Sequence, residues 1–261
     1  MELLIEANAL LAEGPRWWNG RLYWVDIDGC TVYLWERAIR LDAMVGAVAP
    51  VDETHVLVAL ADRLALLDLE SEETATLARF PHGPGVRAND GACDADGTFW
   101  IGTMALDQRP GAAALYRFDG ELTRVLDGVT ISNGIGWLSD GTMLYVESPT
   151  RRVDVLTDGE RTPWAHVDGG LPDGLAVDDE DGVWVAVHGA GALHRYVEGE
   201  LDRVLDVPAA NVTACAFGGD ALYVTAGGNV WVTHPGVSGP QAHAFHARST
   251  APSEADETSA R

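Results

Sequence analysis

Short apolar runs bounded by polar turns dominate the chain, and their arrangement recurs. Arg21 to Ile27, Phe99 to Gly102, Met143 to Glu147 and Val183 to Val187 are brief, rich in aromatic and β-branched residues, and therefore read as strands. Each is preceded by the same three features. A polar residue stands beside glycine (Glu13-Gly14, Asp90-Gly91, Asn133-Gly134, Asp173-Gly174). A short apolar piece follows, and then a turn built on Asn-Gly or Asp-Gly. A weaker copy spans Thr213 to Thr225. Another surrounds Thr54 to Ala61, where the polar residue and its glycine are missing. No stretch sustains a helical period over three turns.

The strand centres fall at Trp24, Val58, Trp100, Tyr145, Trp184 and Tyr223. A spacing of ~40 residues with several short strands per unit is the signature of β-propeller blades. The fold class expected is all-β: a six-bladed β-propeller with a central metal site. It should occupy residues 1–246 as one domain. A sandwich or two small barrels would also be all-β, but neither explains a regular repeat of this length. The aromatic residues at strand centres read as blade packing, which leaves Trp17, Trp18 and Trp137 freer.

Composition narrows the function. The formal net charge is −23, and all 17 cations are Arg. Such a surface repels nucleic acid and anionic membranes and accommodates a divalent cation. Cys30, Cys93 and Cys215 are widely spaced and form no CxxC motif, so they read as small buried residues. The first residues carry acids where a signal peptide needs bases, and no apolar run reaches the ~20 residues of a membrane span. A cytoplasmic protein, monomeric or weakly self-associating, is expected. The small, acidic residues 247–261 read as a disordered tail.

In a propeller, the first strand of every blade lines the central channel. Glu13, Asp90, Asn133 and Asp173 stand 10 to 12 residues before their strand centres, so four blades would bring oxygen-bearing side chains to one mouth. Crowded carboxylates raise one another's pKa unless a cation sits among them. Carboxylates and an amide carbonyl, without Cys or His, favour hard ions such as Ca²⁺, Mg²⁺ or Mn²⁺, and Zn²⁺ or Fe²⁺ could also bind. The same residue types also make Asx-turns that cap their own loops. Elsewhere, the chain has no Gly-x-Ser-x-Gly elbow and no phosphate-binding loop, and Gly189-Ala-Gly191 is too short for a dinucleotide site. His188 and His194 flank a strand break that could bring one of them to the channel.

Glu13-Gly14-Pro15, Arg87-Ala-Asn-Asp-Gly91, Gly102-Thr-Met104, Ser132-Asn-Gly134, Pro149 to Val153, Pro172-Asp-Gly174 and Ala214 to Gly219 resemble, in order, the gluconolactonase/regucalcin/luciferin-regenerating-enzyme family. The resemblance spans about residues 10 to 230. It implies a six-bladed propeller holding one divalent ion, Ca²⁺ foremost, with Glu13, Asn133 and Asp173 as metal ligands. Arg87 and Asn89 match residues that hold substrate hydroxyls. Asp107 falls where relatives place an acidic substrate contact, here with the shorter Asp side chain. Asp90 matches a partner one shell out from the metal. Glu147 stands where relatives more often have Asp and receives no role.

The activity expected is metal-dependent opening of a sugar-acid lactone. The metal would polarise the carbonyl while Asp173 accepts a proton from the attacking water. An organophosphate or aryl-ester hydrolase on the same scaffold is the nearest alternative. A non-catalytic calcium-binding propeller is the alternative from another class.

Overall fold

The computed structural model describes residues 1–247; the tail expected at 247–261 lies almost wholly outside the described residues. Six four-stranded antiparallel sheets make up the fold, as the repeat predicts. The first strands of the blades are Ala12–Trp18, Val45–Pro50, Val86–Cys93, Ser132–Trp137, Leu171–Val177 and Val212–Gly218. Each contacts the next and the last contacts the first, so they close a ring around one axis. The six strand centres read from sequence all lie on the second strand of their blade. Trp24, Tyr145 and Trp184 are fully buried between sheets, and Trp100 is half-buried.

Ring closure uses a pairing that local pattern does not reveal. The amino-terminal strand Glu2–Ile5 joins Asn229–Thr233 as the outer strand of the sixth blade. Both chain ends therefore help to lock the ring. The segment after the last strand crosses one end of the channel. There Ala242 N donates to Trp17 O (2.8 Å), Phe245 N to Pro50 O (2.7 Å) and His246 N to Gly97 O (3.0 Å). Phe245 is buried and stacks on Phe118.

The turns before the second strands of the third and fifth blades follow one device. In the third blade Asp94 accepts from the Asp96 and Thr98 amides through Oδ1 and from the Trp100 indole through Oδ2 (2.9 Å). In the fifth, Asp178 accepts from the Glu180 and Gly182 amides and from the Trp184 indole (2.8 Å), and also from Arg195 Nε (2.7 Å). One carboxylate thus folds the turn and satisfies the indole near the start of the next strand, half-buried for Trp100 and fully buried for Trp184. Arg195 and the hydrogen bonds around it hold the Asp178 carboxyl below its ordinary range against the opposing effect of burial. Asp178→Ala would remove the buried one of the three carboxylates around the Arg195 guanidinium, leaving it Glu180 and Asp202, and would leave the Trp184 indole N–H without its partner. It should cost about 3 kcal/mol of stability, read as a lower urea midpoint at unchanged slope.

The six blades share a second device. Every first strand slips register against its neighbour: at Glu13/Arg16, Val45/Ala47, Ala88/Gly91, Ser132/Ile135, Pro172/Leu175 and Val212/Ala214. In four blades these bulges fall on the polar-Gly element; in the second the bulge holds Gly46 and in the sixth Thr213. A bulge re-aims a side chain that the regular pleat would send into the sheet. Neighbouring inner strands approach closely there. A Cβ on Gly134 would lie 2.7 Å from Asp173 O, and one on Gly46 would lie 2.5 Å from Ala88 O. The second blade therefore keeps the glycine of the element, as Gly46, and lacks only its polar residue.

Candidate functional site at the hub

A cavity of about 200 Å³ opens at the end of the channel away from the carboxy-terminal crossing. Glu13, Asn89, Asn133, Asp173 and Thr213 line it from five different first strands, with Arg87 beside them. The bulges bring these side chains to one place. Residues further along the same strands line a separate cavity of about 130 Å³ at the other end, beneath Pro240 to His243.

The hub is charged, and most of its polar side chains are buried. Glu13, Arg87, Asn89 and Asn133 are 5–7% exposed, and the Asp173 side chain is 14% exposed. Burial, followed by the negative charge of Asp90, pushes the Glu13 carboxyl up to about 8. Asp173 is also driven well above the ordinary carboxylate range, first by burial and then by the charges of Glu13 and Asp90. Arg87 offsets part of this repulsion, and its own guanidinium is held below its usual range by burial.

Hydrogen bonds fix the amides. Arg87 Nη1 donates to Ala88 O (2.8 Å) and Asn89 Oδ1 (2.6 Å). Asn89 Nδ2 donates to Ser132 O (2.8 Å) and to Asn133 Oδ1, and Asn133 Nδ2 donates to Ser148 Oγ (2.7 Å). Asn89 is therefore a bracket across two blades. It holds Arg87 on one side and turns the Asn133 carbonyl oxygen on the other. Ser132 is held in turn by the Tyr145 hydroxyl (2.7 Å).

Two sequence-derived candidates stand elsewhere. Asp90 does not line the cavity. It follows Asn89, the residue in register with Asn133 and Asp173 in the bulge, and a one-residue step turns a side chain to the other side. Its Oδ1 accepts from Arg16 (3.1 Å) and from the Gly91 amide (2.8 Å), and it acts on Glu13 and Asp173 through its charge. Asp107 is on the surface, with its side chain 62% exposed and paired with Arg109 (3.0 Å). Its neighbour Gln108 reaches the cavity instead. Glu147 is buried at the rim of its blade, where it accepts from the Thr130 amide and pairs with Arg161.

His188 is one of the two histidines flanking the strand break. It ends the second strand of the fifth blade and lines the cavity beside Asp173, with Nδ1 3.8 Å from Asp173 Oδ2. Burial holds its imidazole below the ordinary histidine range. His194 is buried against Tyr196, away from this cavity. Cys93 and Cys215 are buried and Cys30 half-buried, all as free thiols.

Among the described residues, no set of three or more His, Cys, Asp or Glu side chains is poised to hold a metal. The central metal site expected from sequence is thus not shown as such. The donor chemistry nevertheless suits a hard divalent cation. Two largely buried carboxylates repel each other, the Asn133 amide lines the same cavity, and one Arg compensates only in part.

Fold and site together define a six-bladed propeller with an acidic, oxygen-lined pocket at its hub. The chain belongs to the SMP-30/gluconolactonase/LRE-like family, whose model matches residues 11–238. It is 33% identical to the L-arabinolactonase of Azospirillum brasilense, over 85% of this chain and 83% of that protein. It is 32% identical to the pentonolactonase XacC of Haloferax volcanii, over 86% of this chain and 84% of that protein. Among solved structures it superposes with TM-score 0.88 on a calcium-binding protein, regucalcin, from Agrobacterium tumefaciens, at 26% identity over 94% of this chain and 97% of that one. Among the described residues no helix is long and apolar enough to cross a membrane.

Proposed function

We propose that the protein hydrolyses a sugar-acid lactone at the hub cavity, with one divalent cation held by Glu13, Asn133 and Asp173. The observation that carries this reading is the convergence of those three residues with Arg87 and Asn89 in one buried pocket. The lactonases among its relatives support the substrate class. The hard oxygen donors, and a structural neighbour described as calcium-binding, support Ca²⁺ as the leading cation.

When bound, the cation would supply Lewis-acid polarisation of the lactone carbonyl. The chain's own residues account for the rest. Arg87, kept rigid by Ala88 O and Asn89, offers its remaining N–H groups to ring hydroxyls and so aims the carbonyl. Asn89 acts mainly by positioning, since both its N–H groups are already committed to Ser132 O and Asn133. Asp173 Oδ accepts the proton of the attacking water, and its partial exposure leaves it accessible from the mouth. Glu13, more deeply buried, contributes charge. Hydrogen-bonding groups at the pocket favour a polyol over an aryl ester or phosphotriester.

The test is a turnover panel. Protein supplied with Ca²⁺ or another divalent ion should release protons from glucono-, galactono-, xylono- or arabinonolactone far faster than it cleaves phenyl acetate or paraoxon. The reverse preference would move the assignment to the aryl-ester class. Cation binding without any turnover would make it a non-catalytic calcium-binding propeller.

A further inference from the structure

We infer that Arg16 is a positioning residue that tempers the acidic field of the hub: through its ion pair with Asp90 it steadies the empty site and loosens the hold on a bound cation. The inference rests on the cation-dependent reading above and concerns a residue that reading leaves out.

The geometry comes first. Arg16 stands on the far side of the bulge that presents Glu13, on the first strand of the first blade. Its Nη2 donates to Asp90 Oδ1 (3.1 Å) and to Gly91 O (2.7 Å) on the third blade, and its Nη1 donates to Pro15 O (2.8 Å). The guanidinium thus spans the ring from one blade to the next but one. The blade between them offers no rival partner, because its first strand, Val45–Pro50, carries no polar side chain. Among the described residues, Asp90 is the only carboxylate paired with Arg16.

Burial gives the pair its reach. The Arg16 and Asp90 side chains are 12% and 5% exposed. Arg16 lines the cavity at the other end of the channel, not the hub cavity, so it faces the site only from behind. Charges so placed are weakly screened and are felt beyond contact distance. Their effects on the hub have opposite signs. Burial raises the Glu13 carboxyl most; Asp90 adds to that, and Arg16 opposes it. Asp90 also adds to the rise at Asp173, after burial and Glu13.

A cation at the hub is attracted by Glu13, Asp173 and Asp90 and repelled by Arg87 and Arg16. Removing Arg16 should therefore tighten cation binding while destabilising the empty protein. A residue that only braced the blades would, when lost, loosen the cation site. The sign of the change separates the two roles.

The experiment measures Ca²⁺ affinity calorimetrically, and thermal midpoints in chelator, for wild type, Arg16→Met, Arg16→Gln and Arg16→Lys. The Met and Gln variants should bind Ca²⁺ about ten-fold more tightly and melt lower when chelated. Lys keeps the charge and should stay near wild-type affinity. Asp90→Asn in the Arg16→Gln background should return the affinity to near the wild-type value. The Gln/Lys contrast decides the matter even if the Met variant folds poorly. Weaker or unchanged Ca²⁺ binding in Arg16→Gln, beside a wild type that binds Ca²⁺ and opens a lactone, would overturn the inference and leave the lactonase reading standing. A wild type that binds no Ca²⁺ would overturn both.

Discussion

Asp173→Asn should lose at least ~10³-fold in kcat/KM while remaining folded. The substitution is isosteric, so the pocket keeps its shape. An amide cannot take a proton from water and is a weaker ligand for a hard cation, so two contributions fail together. Stability should move the other way in the metal-free protein. Asp173 is largely buried beside Glu13, and burial, then repulsion from Glu13 and Asp90, already drives its carboxyl toward the neutral form. Removing that charge should leave the thermal midpoint of chelated protein unchanged or raise it. Loss of activity without loss of stability separates a reacting group from a structural one. A variant that keeps a tenth of wild-type turnover would show that the proton is taken elsewhere.

In metal-free protein, raising the pH from 7 to 8 should lower the thermal midpoint, and Glu13→Gln should largely remove that dependence. Glu13 is pushed up to about 8 from an ordinary 4.5 by burial and then by Asp90. Between these values the folded state holds a proton that the unfolded chain releases. The folded state therefore binds more protons, and stability falls as pH rises through the window. Asp173, raised for the same reasons, adds with the same sign. His82, His188 and His194 are lowered by burial and act oppositely, but only around and below their ordinary value near 6.5. Working above pH 7 isolates the carboxyls. Excess Ca²⁺ should raise the midpoint and flatten the slope, because a bound cation favours the ionised carboxylates. A slope in chelated Glu13→Gln equal to that of wild type would place the titrating group elsewhere.

Much of this architecture was legible in the sequence, for a physical reason. A propeller repeats one local solution, so turn chemistry and strand centres recur with a fixed period, and every centre from Trp24 to Tyr223 fell on an equivalent strand. Glu13, Asn133 and Asp173 were readable because each precedes a repeated glycine in the bulge. What failed was register at single-residue resolution. Asn89 and Asp90 are both polar and both precede Gly91, and the sequence pattern favoured Asp90 as the match. The bulge presents Asn89 to the cavity and turns Asp90 toward Arg16. Asp107 was misplaced for a similar reason. It lies in an exposed turn, where its nearest cation, Arg109, is two residues away. Closure by Glu2–Ile5 was invisible because its partner strand begins at Asn229, at the other end of the chain. His188 shared its only sequence signal, a place beside a strand break, with His194, and that signal does not say which of the two lines the cavity.

One cation shared by Glu13, Asn133 and Asp173 is the centre of the proposed activity, and titrating thoroughly chelated protein with Ca²⁺ while following proton release from the preferred lactone tests it most directly. Turnover should be absent at the start, rise linearly and saturate at one equivalent, and Glu13→Gln, Asn133→Ala and Asp173→Asn should each need far more cation or never recover. Full turnover before any cation is added would contradict the account.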